Sequence, residues 1–394
     1  MNEYLNTGKE ILKILKQNGY QAYFVGGYVR DRVIGIKSDD LDITTNATPD
    51  EVIALFEEVK QTGKKFGGVT VIRDSYKYEI TTYRLEGEYE QHRRPKEVTF
   101  SNDIMDDLKR RDFTMNALYM DEEEEVYDAF HGLDDIANKT IQTIGDPNER
   151  FYEDALRILR AFRFVSKLNF TIEEKTLQAI KENKKLVQTI AIERVMVELQ
   201  KIFQGDYQKE AIHYMIQTGV AEELYGLEKG LRYVSTLQDY ITPLEIYILC
   251  FILDDIDDIW RFSNQEYRLI RQIINLSEVT KENEFNKFIL FSNKLDPCLL
   301  TNRINVLLGY KDQKQDILHM YQEMPVKDVC DLAFKGQDIL ALTTMKNRRL
   351  IGLVIDDLLF NVIMGIMPNE YEILKDFSLQ RVAELQREMG ETNE

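Results

Sequence analysis

Ser38-Asp39-Asp40-Leu41-Asp42-Ile43-Thr44-Thr45 places three carboxylates within four positions of a run that otherwise reads as a β-strand. Aspartate is a poor strand former, and like charges this close repel. A bound cation would relieve the repulsion; a solvated turn would also tolerate it. In an extended segment alternate side chains share a face, so Asp40 and Asp42 project together, Leu41 and Ile43 face a core, and Asp39 points away as a turn cap. Two adjacent carboxylates make a hard oxygen site for Mg²⁺, with positions left for phosphate oxygens and water. The strand pattern Tyr78-Glu79-Ile80-Thr81-Thr82 offers Glu79 as a third acid, although an exposed glutamate on a half-buried strand would look the same.

Upstream, Phe24-Val25-Gly26-Gly27-Tyr28-Val29-Arg30-Asp31 runs from a short strand through two glycines into a helix. Glycines allow backbone to approach a ligand closely, and a helix N-terminus presents free N–H groups and a positive dipole end. That combination suits a triphosphate, with Arg30 one turn into the helix. Downstream, Lys109-Arg110-Arg111-Asp112-Phe113-Thr114-Met115-Asn116 sets three basic residues before Asp112 and Asn116, which suits phosphates and ribose hydroxyls; Asp112 or Thr114 capping a helix would explain it too. Further on, Ala155, Ile158, Leu159 and Phe162 recur at helical spacing. With that stripe inward, Glu153, Arg157 and Arg160 share another face, and Asp154 lies one turn from Arg157. A carboxylate acceptor beside a planar donor fork can read the Watson–Crick edge of cytosine or adenine. A surface salt pair is the commoner use of such spacing.

The 394 residues suffice for several domains, and 44% hydrophobic with 30% charged residues describes an ordinary globular chain. No apolar run is long enough to span a membrane. Three separated cysteines fit a reducing cytoplasm without disulfides. The net charge of −18 argues against nucleic-acid binding on average, yet basic residues cluster at Arg93-Arg94, Lys109–Arg111, Arg157/Arg160/Arg163 and Lys346/Arg348/Arg349. Strand patterns at Ala22–Val25, Leu41–Thr45, Val69–Ile72, Tyr78–Tyr83, Val98–Phe100 and Glu125–Tyr127 alternate with helices in the first 145 residues or so, and the remainder reads as helical. This makes 1–145 an α/β or α+β domain, followed by helical domains over 146–210, 211–320 and 321–394.

The order GGYVRD, DLD, RRDFTMNAL, RFYEDALRILRAFRF and IERVMVELQKIF resembles the bacterial class II CCA-adding enzymes, or tRNA nucleotidyltransferases, over about residues 20–205. The resemblance implies a polymerase-β-like nucleotidyltransferase head followed by helical neck, body and tail. It implies template-independent addition of C, C and A to tRNA 3′ ends from CTP and ATP, the 3′-hydroxyl attacking the α-phosphorus and pyrophosphate leaving, with two Mg²⁺ ions. Asp40 and Asp42, possible partners of Glu79, would be the catalytic metal-binding carboxylates. Gly26, Gly27 and Arg30 would lie against the triphosphate, and Arg111, Asp112 and Asn116 would contact phosphate and sugar. Asp154 and Arg157 would select the base with Glu153 positioning them, while Arg160 and Arg163 hold phosphates or order that helix, and Glu193 and Arg194 brace the neck.

CC-only relatives lack the loop that Leu85–Lys109 supplies here. A-adding and poly(A)-adding activity, or a silent RNA-binding protein on the same fold, are the alternatives. The tRNA acceptor arm would dock on Arg93, Arg94, Lys346, Arg348 and Arg349, in a cytoplasmic monomer or homodimer.

Overall fold

The computed structural model describes residues 2–38, 40–61, 63–86, 89–90, 94–95, 98–254, 258–343 and 348–388. The chain divides into two compact units, Met1–Arg261 and Phe262–Glu394. That boundary falls inside the 211–320 stretch expected as the body.

The first unit is built on a mixed seven-stranded sheet. Its strands are β1 (Ala22–Val25), β2 (Asp42–Thr45), β3 (Val59–Lys60), β4 (Gly68–Arg73), β5 (Tyr76–Thr82), β6 (Leu118–Met120) and β7 (Val126–Asp128). They lie in the order β7-β6-β1-β2-β5-β4-β3, and only β2 and β5 pair in parallel. Helix α1 (Asn2–Gln17) buries Ile11, Leu12 and Leu15 completely, in one cluster with Phe24, Leu41, Ile43, Tyr78 and Ile80. The alternation expected of Leu41 and Ile43 is thus present: both face the core, and the intervening Asp42 faces the other way.

β1 passes through Gly26 into α2 (Gly27–Ile34). Gly26 has φ of 74°, a left-handed conformation that glycine adopts without the usual Cβ penalty. After β2, α3 (Pro49–Leu55) opens with a capping box between Thr48 and Glu51.

Two expectations need correction. The stretch 85–109 is not simply a loop: Arg84–Glu86 pairs with Val98–Phe100, and Asp103 caps α4 (Ile104–Lys109) through the Met105 amide. Nor do residues 150–163 form one helix. α5 (Pro147–Glu153) ends at Asp154, whose backbone is extended (φ −138°, ψ 102°), and α6 runs from Leu156 to Leu168. The Asp154 carboxylate accepts from the Leu156 amide at 3.2 Å, so it satisfies the start of the second helix instead of continuing the first. α7 (Ile192–Gln204) packs against α6.

The second unit is helical, and its core includes Leu276, Leu290, Phe334, Val354 and Leu358. The apolar stretch near its end forms the helix Arg348–Ile363, which buries Leu350, Ile351, Val354, Leu358, Leu359, Val362 and Ile363. No described helix is long and apolar enough to cross a membrane, and all three cysteines are free.

Candidate active site

Asp42 opens β2, opposite Val25 of β1 on one side and Glu79 of β5 on the other. Register partners on adjacent strands share a face, so the Glu79 carboxylate lies on the Asp42 side of the sheet. Asp40 precedes the strand, is exposed, and lines the same cavity as Asp42. Burial, followed by repulsion from Asp40 and Glu79, pushes the Asp42 carboxyl up to about 7, against the pull of Arg111. A cation would suit such a donor set. Among the described residues no three His, Cys, Asp or Glu side chains close around a point as a ready cage. The pair therefore fits an ion that takes its remaining ligands from phosphate and water, the usual habit of Mg²⁺.

Gly26 sits over this corner. A Cβ there would come within 3.0 Å of Arg111 Nη1 and 3.8 Å of Asp42 Oδ2, so only glycine lets the guanidinium approach the turn. Arg111 is braced by the fully buried Asp107, whose Oδ2 lies 3.3 Å from Arg111 Nη2, while Asp107 Oδ1 accepts from Arg110 Nε at 2.8 Å.

The cavity bordered by Gly26, Asp40 and Asp42 has a volume of about 580 Å³ and is lined by nine basic and five acidic side chains. A positive interior on a chain of net charge −18 is a local design for an anion. Its floor is a continuous polar chain. Lys167 donates to Asp31 at 2.8 Å, Arg30 donates to Asp31 and, at 2.5 Å, to Asn116 Oδ1. Asn116 Nδ2 donates to Asp112 at 2.9 Å, and Arg160 Nε donates to the other Asp112 oxygen at 2.7 Å. Burial pushes the Asp112 carboxyl up, but Arg160, the Asn116 amide and the Phe113 amide outweigh it and hold it down at about 2. Arg30, Asp112 and Asn116 are buried, so they shape this floor as much as they face a ligand. The Phe164 ring is collared by the guanidinium carbons of Arg30, Arg160 and Arg163 at 5.0, 5.6 and 5.7 Å.

Asp154 and Arg157 line the same cavity. Their backbones bond, Arg157 N–H donating to the Asp154 carbonyl at 3.0 Å, but their side chains take other partners. Arg157 Nη1 donates to Glu153 at 2.7 Å and to the Arg150 carbonyl, and its Nη2 donates to the Arg110 carbonyl at 2.8 Å. Asp154 instead accepts from Arg194 of α7 at 3.1 Å. The Glu153 carboxylate thus holds Arg157 and not the Asp154 side chain, since the helix breaks between them. Arg163 faces Glu198 at 3.6 Å.

Asp107, Phe164 and Lys167 are site residues that sequence reading missed. A helix over 104–109 would have put Asp107 three and four positions before Arg110 and Arg111; with that stretch read as loop, the signal was hidden. Among the basic patches, Arg93 and Lys346 lie outside the described residues, as does Asp39, and Arg94 is described only as backbone of the two-residue strand Arg94–Pro95. Arg348 and Arg349 are exposed in the first turn of their helix in the second unit, and Glu193 is exposed.

Known proteins resemble this chain along nearly its whole length. A model of the poly A polymerase head domain matches residues 22–142, one of an RNA and SrmB binding site of polymerase A matches 169–227, and one of tRNA nucleotidyltransferase domain 2 matches 257–378. The CCA-adding enzyme of Bacillus pumilus is 35% identical, covering 96% of this chain and 97% of its own. That of Enterococcus faecalis is 33% identical over 99% and 98% of the two chains. The Bacillus stearothermophilus CCA-adding enzyme in complex with CTP superposes with a TM-score of 0.83 at 30% identity, covering 98% of this chain and all of that one. The Thermotoga maritima CCA-adding enzyme complexed with tRNA shares the fold, with a TM-score of 0.66 at 19% identity. Near full-length identity above 30%, on a chain whose cavity joins paired carboxylates to basic side chains, places this chain in the CCA-adding enzyme family of tRNA nucleotidyltransferases.

Proposed function

We propose that the chain adds C, C and A in turn to tRNA 3′ ends, drawing CMP and AMP units from CTP and ATP and releasing pyrophosphate. The observation that carries this reading is one cavity lined both by Asp40 and Asp42 and by Asp154 and Arg157. A nucleoside triphosphate laid along it sets its phosphates among the basic side chains and its base against Asp154 and Arg157. Gly26, Gly27 and the first turn of α2 hold the triphosphate, Arg111 steadies the phosphates from above the glycine turn, and Arg160 and Arg163 add charge along the path. Arg30, Asp112 and Asn116 keep that path rigid and supply its polar surface. Asp154 accepts from the exocyclic amine that cytosine and adenine share, and Arg157 donates to their ring acceptors, so uracil and guanine are refused without a nucleic-acid template.

Asp40 and Asp42 hold divalent cations, which we take to be two Mg²⁺, with Glu79 as a further ligand; when bound these ions supply charge neutralisation and polarise the reacting oxygens. No covalent enzyme intermediate is required. We assign the head to 1–145, the neck to 146–210, the body to 211–320 and the tail to 321–394. The exposed Arg348 and Arg349, with Lys346, Arg93 and Arg94, serve the acceptor arm, and the enzyme works in the cytoplasm as a monomer or homodimer. Full-chain protein incubated with Mg²⁺ and tRNA lacking its CCA end should extend it by two residues with CTP alone and by three with CTP and ATP, sized on a sequencing gel. Absence of incorporation from either nucleotide would overturn the assignment.

A further inference from the structure

A second cavity of about 330 Å³ touches Asp42 from the other side. It shares Asp42, Arg110 and Arg111 with the larger one, and its remaining walls include Gly63, Phe66, Gly68, Glu79 and Arg84. The sheet order explains the arrangement. Asp42 lies on β2, with Gly26 at the end of β1 on one side and Glu79 on β5, backed by β4, on the other. In-line transfer sets the attacking hydroxyl and the leaving pyrophosphate on opposite sides of the α-phosphorus. If the triphosphate occupies the Gly26 side, the attacking strand must come from the Glu79 side.

The turn Lys64-Lys65-Phe66-Gly67-Gly68 contributes Phe66 and Gly68 to the wall of this cavity. Gly63 and Gly67 have φ of 92° and 88°, which lets the chain fold back tightly around the short helical turn Lys64–Phe66. A Cβ on Gly68 would point to Glu79 Oε1 at 3.9 Å and into the cavity, so its absence leaves room there. Phe66 is partly exposed, its carbonyl accepts from Arg84 Nη1, and Lys65 Nζ lies 6.0 Å from its ring. A partly exposed ring beside arginine and lysine, with carboxylates at the far end, has the chemistry of a single nucleotide: a stacking face, cations for the phosphate, and acceptors near the ribose hydroxyls. The volume falls in the range of small-ligand sites, about 300–1,000 Å³.

We propose that this second cavity receives the 3′-terminal nucleotide of the RNA, with Phe66 as its stacking wall and Arg84 as the cation for its phosphate. The assignment rests on the nucleotidyl-transfer reading above. It is tested with the full chain, a tRNA acceptor minihelix carrying 2-aminopurine at its 3′ terminus, and separate KM measurements for tRNA and CTP. Wild-type protein should quench the 2-aminopurine fluorescence, and Phe66→Ala should abolish the quench while Phe66→Tyr retains it. Phe66→Ala should also raise the KM for tRNA roughly 5- to 100-fold, the loss expected of one base–aromatic stack, with the KM for CTP within about twofold of wild type. Should Phe66→Ala fail to fold, Arg84→Gln must give the same split between the two KM values. Unchanged tRNA KM and quenching in a folded variant, or a parallel rise in CTP KM, overturns the cavity assignment while leaving the transferase reading intact. A wild-type protein that incorporates no nucleotide defeats the transferase reading instead.

Discussion

Asp42 is held where its charge is least favourable: partly buried, beside Asp40, and in register with Glu79. A carboxyl whose folded pKa is raised to about 7 contributes stability that is fully present below its unfolded value near 4 and is lost as pH rises through 7. Asp42→Asn should therefore abolish nucleotide addition while raising metal-free stability at pH 8 by about 1–3 kcal/mol, read by urea or thermal melts. An inactive variant that is no more stable than wild type would remove the argument that the site is strained for a cation. Asp112 behaves in the opposite sense. Its carboxyl is depressed to about 2, so its stabilisation is present above the unfolded value near 4 and is lost as pH falls toward 2. Relative to wild type, Asp112→Asn should be less stable by on the order of 2 kcal/mol at pH 6, with the gap closing between pH 4 and pH 2. A constant gap across that range would mean that packing, and not the Arg160 ion pair, sets the loss.

At the scale of elements, the decisive feature is the break between α5 and α6. A continuous helix would have turned Asp154 into an ordinary surface partner of Arg157. The extended backbone at Asp154 delivers its carboxylate to the cavity instead, where Arg194 on α7 holds it. Arg194→Ala leaves that carboxylate held by the Leu156 amide alone, so discrimination of CTP over UTP should fall roughly tenfold through a raised CTP KM, with little change in the rate for UTP. Equal losses for both nucleotides would make Arg194 a support for the helices rather than for base choice. The strands carrying the carboxylates were legible from alternation, because Leu41, Ile43, Tyr78 and Ile80 all face one core. β6 was not: three residues between turns carry too little pattern, and it is a strand because β1 and β7 pair with it.

For the molecule as a whole, charge is the governing variable. A net −18 should repel RNA, yet both cavities are strongly supplied with arginine. Part of the acidic excess is neutralised internally. In the run 121–125, Glu124 pairs with Lys9 and Arg32, and Glu122 pairs with Lys16, so that run ties α1 and α2 to the sheet edge. Binding of tRNA should then be carried by a few phosphates, and a plot of log affinity against log salt should fall with a slope of about −0.7 to −0.9 per phosphate contacted. A flat response in filter-binding or fluorescence titrations would exclude phosphate-led docking.

Local spacing in the chain was enough to identify the paired aspartates, the glycine turn, the arginine-rich helices and the family they belong to. Each of those depends on neighbours within a turn of helix or two steps of strand, where backbone geometry alone dictates direction. The partners were settled only by tertiary structure: Asp154 with Arg194, Arg157 with the Arg110 carbonyl, the three-arginine collar on Phe164, and the Phe66 turn beside Glu79. Those contacts join residues up to 134 positions apart, as Arg30 and Phe164 are, and their geometry is set by how sheet and helices pack, which no short-range pattern encodes.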